Sequence, residues 1–149
     1  MVINTKEIAS RIKLGTMLLT LVYAGLLVAA LVFAWSPKHY FEIILSILYL
    51  FFLAFIFVKN YSYIFYNSDG LKIIMRYTSL QPLSAGNYSI EIPKRDFVKA
   101  EIVNSHIGLR KNLIFYVKTP QGIAKFKPVS LSILNKSQVS GIMDELNSL

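Results

Sequence analysis

Two apolar stretches near the start of the chain decide its fold: LGTMLLTLVYAGLLVAALVFAW at residues 14–35 and FEIILSILYLFFLAFIFV at residues 41–58. The first contains no charged residue, and the second contains only Glu42, close to its beginning. About 20 consecutive apolar residues are enough for a helix to cross the roughly 30 Å hydrocarbon core of a bilayer. The sequence therefore predicts an integral membrane protein with two spans, at about 14–35 and 41–58.

The two stretches are joined by the segment SPKHY at residues 36–40. Pro37 ends a helix because its ring blocks the preceding turn and it has no N–H to donate, and a link this short joins neighbouring antiparallel helices. We therefore expect a transmembrane helical hairpin over residues 14–59. A cleaved signal peptide is the alternative for the first stretch, but its apolar run is longer than that of a signal peptide and a second run follows at once.

Basic residues are distributed unevenly around this hairpin. Lys6, Arg11 and Lys13 precede the first stretch and Lys59 follows the second, whereas the connecting loop contains only Lys38. Segments rich in Lys and Arg remain on the cytoplasmic side of a membrane. The sequence therefore predicts that both termini, and the domain after the second span, are cytoplasmic.

Residues 1–13 form a short segment ahead of the first span. Asn4 and Glu7 have the spacing of a helix capping box, and Ile8 and Ile12 fall on one face of a helix. We expect an amphipathic helix here, either lying at the membrane interface or continuous with the first span.

From residue 60 onward the apolar pattern changes to the two-residue period of β-strands. Asp69-Gly70 and Pro120-Gln-Gly122 supply turns, and Asn135 with Gln138 forms a capping box before an apolar helical stripe. The predicted strands cover residues 61–66, 71–77, 88–92, 97–103, 113–118 and 123–127. Short strands at this spacing predict a small antiparallel β-barrel or sandwich over residues 60–149, which ends in a C-terminal amphipathic helix.

Small residues recur at four-residue spacing on the first span, a pattern that allows two helices to approach closely. They form two pairs, Gly25 with Ala29 and Ala30 with Ala34. One interpretation is a packing face for the second span or for another copy of the chain. The alternative is the ordinary Gly and Ala content of a membrane helix.

Composition excludes several kinds of chemistry. The 149 residues include 16 basic and 8 acidic residues, a formal net charge of +8, and no cysteine. The two histidines, His39 and His106, are expected on opposite sides of the membrane and therefore cannot share a metal ion. Because no nucleophile, phosphate-binding or zinc-hydrolase motif occurs, we expect no catalytic residues, no metal and no cofactor.

The domain after residue 60 is basic, and two groups of its basic residues are candidates for an anion or partner site. They are His106, Arg110 and Lys111 in one polar loop, and Lys125 and Lys127 two apart on one strand. Arg and Lys both bind phosphate and carboxylate groups. The alternatives are a solvated loop for the first group and protection of an edge strand for the second.

The chain resembles bacterial membrane proteins in which two adjacent spans are followed by a pleckstrin-homology-like (PH-like) domain. The residues that carry the resemblance are the 67–70 hairpin turn, Ile90–Pro93 leading into Phe97-Val98, Leu113–Val117 before the 120–122 turn, and the closing helix. The resemblance implies a closed or nearly closed barrel capped by the helix, a location in the cytoplasmic (inner) membrane, and binding rather than catalysis. The basic pattern of eukaryotic inositol-lipid binding is not met, since Lys72 and Arg76 are the only basic residues of the first hairpin.

Two functions are therefore expected from the sequence. The first is a membrane-anchored, non-enzymatic interaction or scaffold module that presents a basic PH-like domain at the inner membrane face. The alternative is a small subunit of a membrane complex that assembles through its transmembrane helices and uses the domain for regulation. The expected partners are a protein, membrane lipids with anionic head groups and a second copy of the chain, but not nucleic acid.

Overall fold

The computed structural model describes residues 1–33, 35, 37–81 and 86–149. In chain order the elements are β1 (Val2–Asn4), α1 (Lys6–Phe33), a 3-10 turn (Pro37–His39), α2 (Tyr40–Lys59), β2 (Ser62–Asn67), β3 (Lys72–Ser79), β4 (Asn87–Pro93), a second 3-10 turn (Lys94–Asp96), β5 (Phe97–Ser105), β6 (Arg110–Thr119), β7 (Gly122–Lys125), β8 (Val129–Ser130) and α3 (Lys136–Asn147).

Helices α1 and α2 are each long and apolar enough to cross a membrane. With 28 and 20 residues, they extend about 42 Å and 30 Å at 1.5 Å per residue. The 3-10 turn reverses the chain between them, and Lys38 and His39 adopt left-handed φ values of 58° and 59° there. The helical hairpin predicted from the sequence is thus present. Helix α1 is longer than α2 because it has additional turns at its start, where Ala9 and Ile12 pack against the sheets.

Hydroxyl groups and aromatic rings join the two helices near their middle. The rings of Tyr23 and Tyr49 stack with centroids 4.0 Å apart and an interplanar angle of 4°. The Tyr49 hydroxyl lies 2.9 Å from Thr20 Oγ1, and the Tyr23 hydroxyl lies 3.1 Å from Ser46 Oγ. Polar groups in a hydrocarbon environment need such partners, so this pairing fixes the register between the helices.

The first residues of the chain belong to a β-sheet and not to a separate helix. β1 pairs antiparallel with β2, with Val2 opposite Asn67 and Asn4 opposite Phe65. The predicted helix begins at Lys6 and is continuous with the first span. Asn4 caps it in a different way from the predicted box, since its side-chain oxygen accepts a hydrogen bond from the Lys6 N–H at 3.0 Å. The sequence boundary drawn at residue 13 therefore lies inside α1, and the helical hairpin is inserted between two paired strands.

Thr5 makes the connection between sheet and hairpin. Its backbone N–H donates to the Ile64 carbonyl at 3.0 Å. Its buried hydroxyl donates to the same carbonyl at 3.1 Å and accepts from the Ile64 N–H at 2.8 Å. Because the Thr5 carbonyl also accepts the Ala9 N–H of the first helical turn, a single residue ends β1, bonds to β2 and begins α1.

The remaining strands form two antiparallel sheets. Sheet A has the order β1-β2-β3-β4, and sheet B has the order β5-β6-β7 with β8 also paired to β6. All six predicted strands are present, whereas β1 and β8 are additional. The sheets do not close into the barrel that the resemblance implies, because β4 and β5 are joined through the second 3-10 turn and lie in different sheets. The two sheets and α3 nevertheless contribute to one hydrophobic core, which includes Tyr66, Phe115 and Ile142.

Helix α3 follows the sequence prediction closely. Gln138 N donates to Asn135 Oδ1 at 2.8 Å, and Asn135 N donates to Gln138 Oε1 at 3.1 Å, which completes the capping box. Val139, Ile142 and Leu146 are buried. The apolar stripe thus covers the core, as its helical spacing requires.

Polar groups tie α3 to the end of sheet A. The Met1 amine donates to Ser68 Oγ at 3.1 Å, to Asp69 Oδ1 at 2.6 Å and to Glu145 Oε1 at 2.9 Å, while Ser68 Oγ donates to Glu145 at 2.5 Å. Burial raises the pKa of Glu145, but the hydrogen bonds from Ser68 and the amine outweigh it and keep that pKa below its ordinary value. The hydrogen bonds to Asp69 and Glu145 raise the pKa of the amine.

Tyr49→Phe tests the contact between the helices, because it keeps the ring and removes the hydroxyl. Interhelical hydrogen bonds contribute about 0.6 kcal/mol on average, so we expect a loss of about that size. Tyr49→Leu also removes the stacking, which adds about 0.5–1.5 kcal/mol. Equilibrium unfolding in mixed detergent micelles measures both, with Tyr40→Phe as the control because Tyr40 is exposed. If Tyr49→Leu is as stable as the wild type, the stacked pair does not hold the hairpin together.

The Glu145 network predicts a loss of stability in acid. Since the pKa of Glu145 is lower in the folded protein, its stabilisation is complete above the ordinary Glu pKa of about 4.3 and is lost as the pH falls through the folded value. We expect Glu145→Gln to lower the melting temperature at neutral pH, and the difference from wild type to shrink as the pH falls below about 4. The control is Asp144→Asn, at an exposed neighbouring carboxylate. If the two variants melt alike at every pH, Glu145 does not join α3 to the sheet.

Candidate functional site: the β5–β6 hairpin tip

The structure divides the five predicted basic residues between two places. Those at the tip of the β5–β6 hairpin are His106, Arg110 and Lys111, and those on β7 or after it are Lys125 and Lys127. Lys125 lies opposite Tyr116 in the β6–β7 pair. That position is six residues along β6 from Arg110, about 20 Å at 3.3 Å per residue. The tip therefore brings the first three together and leaves Lys125 outside.

A chain of hydrogen bonds holds the tip across both strands. Arg110 Nε donates to Asn112 Oδ1 at 2.9 Å, and Asn112 Nδ2 donates to Ser105 Oγ at 3.0 Å. His106 Nδ1 lies 3.3 Å from the same Ser105 hydroxyl. Burial lowers the pKa of Arg110, yet a guanidinium group stays charged in proteins. Within the described part of the chain its terminal nitrogens have no protein partner, so they are available to an anion.

Lys111 follows Arg110 on the same strand but points the other way, since successive side chains of a strand alternate between its faces. The Lys111 carbonyl accepts the Leu131 N–H at 2.8 Å, and its side chain is exposed. The tip thus presents one cation on each face of the hairpin.

The turn at the tip exposes apolar residues in a strained backbone. His106 and Ile107 have left-handed φ values of 53° and 57°, a conformation that is rare for a β-branched residue. Ile107 is 103% exposed and Leu109 is 46% exposed. The sequence predicts a polar loop at His106, Arg110 and Lys111. The missed signal was this pair of large apolar residues on either side of Gly108.

The base of the hairpin lies beside the end of α2. Asn112 is paired with Ser130 of β8, and the Ser130 hydroxyl donates to the carbonyl of Lys59 at 3.3 Å. Lys59 is the last residue of α2. The residues of β6 that enter the core, such as Leu113 and Phe115, lie on one side of this contact, and the tip extends from the other side.

The segment of the chain that contains the tip carries an excess of positive charge. Between Glu101 and Asp144 the sequence contains six basic residues and no acidic residue, and this segment includes β6, β7 and β8. The Glu101 carboxylate already has partners, since the hydrogen bond from Lys99 and then that from Tyr116 lower its pKa.

Lys125 lies on β7, which forms an edge of sheet B and is exposed along its whole length. Lys at such an edge also opposes pairing with other chains.

The small residues of the first span do not share one environment. Ala30 is fully buried, Ala29 is half-buried and Gly25 is exposed. A Cβ placed on Gly25 would meet no atom within 4 Å, so Gly25 is not part of the contact with α2. Ala34 lies outside the described residues. Among the described residues of the predicted face, Ala30 is the one buried inside the hairpin.

A cavity of about 410 Å³ lies where the two helices meet sheet A. Its walls are mainly apolar and come from both helices and from the ends of β2 and β3; they include Ile12, Met17, Leu53, Phe57, Tyr61 and Leu80. Lys13 is the charged residue of its lining.

Comparisons of the chain with protein-family models, with curated proteins and with solved structures give no match.

Proposed function

We propose that this chain is a membrane-anchored, non-enzymatic interaction module of the bacterial cytoplasmic membrane. The hairpin of α1 and α2 crosses the bilayer with both termini in the cytoplasm. The two sheets and α3 form a PH-like domain, which recruits a protein to the inner face of the membrane and lies against anionic lipids.

The attachment of the domain to the hairpin is the observation that carries this proposal. The hairpin leaves sheet A at Asn4 and returns to it at Ser62, and these positions belong to adjacent hydrogen-bonded strands. A second contact joins Ser130 of sheet B to the end of α2. With two attachments and no long linker, the domain is held at a fixed height above the membrane. Such rigid placement suits a surface that presents a binding site.

Three features support the membrane placement. The apolar side chains of both helices are largely exposed along their lengths, as lipid contact requires. Trp35 and Tyr40 are exposed beside the connecting turn, where aromatic residues are enriched at membrane interfaces. Lys6, Arg11, Lys13 and Lys59 lie at the opposite end, which favours a cytoplasmic location for that end.

The architecture of the domain supports the PH-like assignment. Two antiparallel sheets contribute to one core, and a single amphipathic helix at the C-terminus packs into it. The resemblance likewise implies one core with a closing C-terminal helix, whereas the two sheets differ from it because they do not close into a barrel.

The proposed topology can be tested with single cysteines, because the chain contains none. Lys38→Cys places a thiol in the exposed turn between the spans, and Leu71→Cys places one at the exposed β2–β3 turn. We expect a membrane-impermeant maleimide to label position 38 in intact spheroplasts and position 71 only after lysis. Labelling of position 71 from outside, with position 38 protected, would reverse the assigned orientation.

Recruitment by the domain can be separated from assembly through the helices. A chimera replaces residues 14–58 with an unrelated two-span hairpin, which keeps both connections to sheet A. If the domain recruits the partner, crosslinking in membranes followed by mass spectrometry should capture the same protein with the chimera and with the wild type. The matched variant Gly25→Leu with Ala29→Leu, in the native hairpin, should also capture it.

The opposite result supports the alternative function. If the chimera and the Gly25→Leu, Ala29→Leu variant both lose the partner, the helices form the interface and the chain is a subunit that assembles within the membrane. A partner that consists only of other copies of the chain leads to the same conclusion.

A further inference from the structure

The β5–β6 hairpin carries two unfavourable features, exposed apolar side chains and a strained backbone, which no contact among the described residues offsets. Ile107 is 103% exposed, and Leu109 and Val103 on the same hairpin are 46% and 43% exposed. Single exposed apolar residues are common on protein surfaces. Here, however, three occur on one hairpin, and Ile107 also has a left-handed backbone. Backbone strain at a residue that is not buried in the free protein suggests that the residue contacts something outside the protein.

The position of the β5–β6 hairpin indicates which surface would cover its exposed apolar residues. Its base is attached through Ser130 to the last residue of α2, Lys59, which follows the apolar run and marks the head-group level of the proposed span. Two other exposed turn residues, Leu71 and Ile123, are at the far end of the domain. Leu71 follows β2, which starts beside α2 and extends away from it for six residues, about 20 Å. Ile123 lies opposite Lys118, near the far end of β6, eight residues from Arg110 and therefore about 26 Å along the strand.

The charge of the tip matches an anionic membrane surface. Arg110 and Lys111 point to opposite faces of the hairpin, so both reach the head groups when the hairpin enters the interface end-on. Arg110 is held by Asn112 through Nε, which leaves the outer edge of its guanidinium group for a phosphate. No acidic residue occurs in the sequence between Glu101 and Asp144.

We propose that the β5–β6 hairpin tip is a second membrane contact, in which Ile107 and Leu109 enter the interface of the anionic leaflet while Arg110 and Lys111 bind lipid phosphates. The inference rests on the proposed function, since it requires that α1 and α2 span the same membrane. A tip of this size would not hold a free domain on a bilayer. Because the helical hairpin of α1 and α2 already attaches the domain to the membrane, binding of the β5–β6 tip is intramolecular, and a few residues suffice for it.

The contact can be measured with an environment-sensitive fluorophore on single cysteines. The full-length variants Ile107→Cys, Leu71→Cys and Leu48→Cys are labelled with nitrobenzoxadiazole and reconstituted in vesicles of phosphatidylcholine with phosphatidylglycerol, with a spin-labelled lipid as quencher. We expect quenching and a blue shift at position 107 and at position 48, which is on the exposed surface of α2. Position 71 is the matched exposed leucine at the far end and should remain unquenched.

Charge variants test the lipid phosphates. Each basic residue near an anionic surface contributes about fivefold to binding, so Arg110→Gln with Lys111→Gln should weaken docking of the tip about 25-fold and abolish most of the quenching at position 107. Vesicles of phosphatidylcholine alone, or high salt, should have the same effect because salt screens these charges. The control pair, Lys118→Gln with Lys125→Gln, removes the same charge from the far part of sheet B and should leave the quenching unchanged.

The outcomes separate this inference from the function on which it rests. If position 48 is quenched and position 107 is not, the helices span the membrane and the tip does not bind it, which overturns the inference alone. The inference is also overturned if positions 71 and 107 are quenched equally, or if both pairs of charge variants lose the same amount of quenching at position 107. In either case the domain would lie on the surface without a specific contact. If position 48 itself is not quenched, the proposed membrane placement fails.

Discussion

The structure depends on the hydrogen bonds between Thr5 and Ile64. They join the end of β1 to the middle of β2 at the point where the chain turns into α1. Adjacent strands are about 4.8 Å apart, so this pairing brings the start of α1 close to the strand that follows α2. The helices and the sheet are consequently parts of one structure, and the orientation of the domain relative to the hairpin follows from strand pairing.

The domain has two different ends as a result. At the end near the helices, Ser130 contacts Lys59, and the cavity at the junction and the β5–β6 tip lie close to the boundary of the apolar spans. At the opposite end, the Met1 amine and Ser68 meet Glu145 of α3. The polar network therefore closes the end of the core that is far from the helices, whereas the strained and fully exposed Ile107 lies on the hairpin that is attached to α2.

Local patterns predicted most of the elements. The two spans follow from uninterrupted apolar runs, the six strands from alternation, and the start of α3 from the Asn135–Gln138 pair, because each of these signals involves residues close in sequence. β1 and β8 were not predicted, since strands of three and two residues are too short to show a period. The strand pattern did not decide between a sandwich and a barrel, because whether β4 pairs with β5 depends on contacts between whole sheets.

The candidate site shows the same division. Its basic residues were evident in the sequence, but their grouping was not, because the separation of Lys125 from Arg110 depends on the register of β6 and β7. The opposite directions of Arg110 and Lys111 follow only once both are placed on a strand. Ile107 was overlooked because it lies among polar residues, and its full exposure became evident only from the shape of the turn.

The insertion of the hairpin between β1 and β2 also fixes an order of assembly. The 57 residues 5–61 separate the two strands in the chain, so β1 is synthesised before either span and its partner only after both. If α1 and α2 span a bilayer as proposed, sheet A can be completed only when both have entered it and returned the chain to the same side. A chain with one span misplaced would keep β1 and β2 on opposite sides of the membrane and leave the edge of β2 unpaired. Because unpaired strand edges promote aggregation, correct insertion of the proposed spans would be a condition for a folded domain.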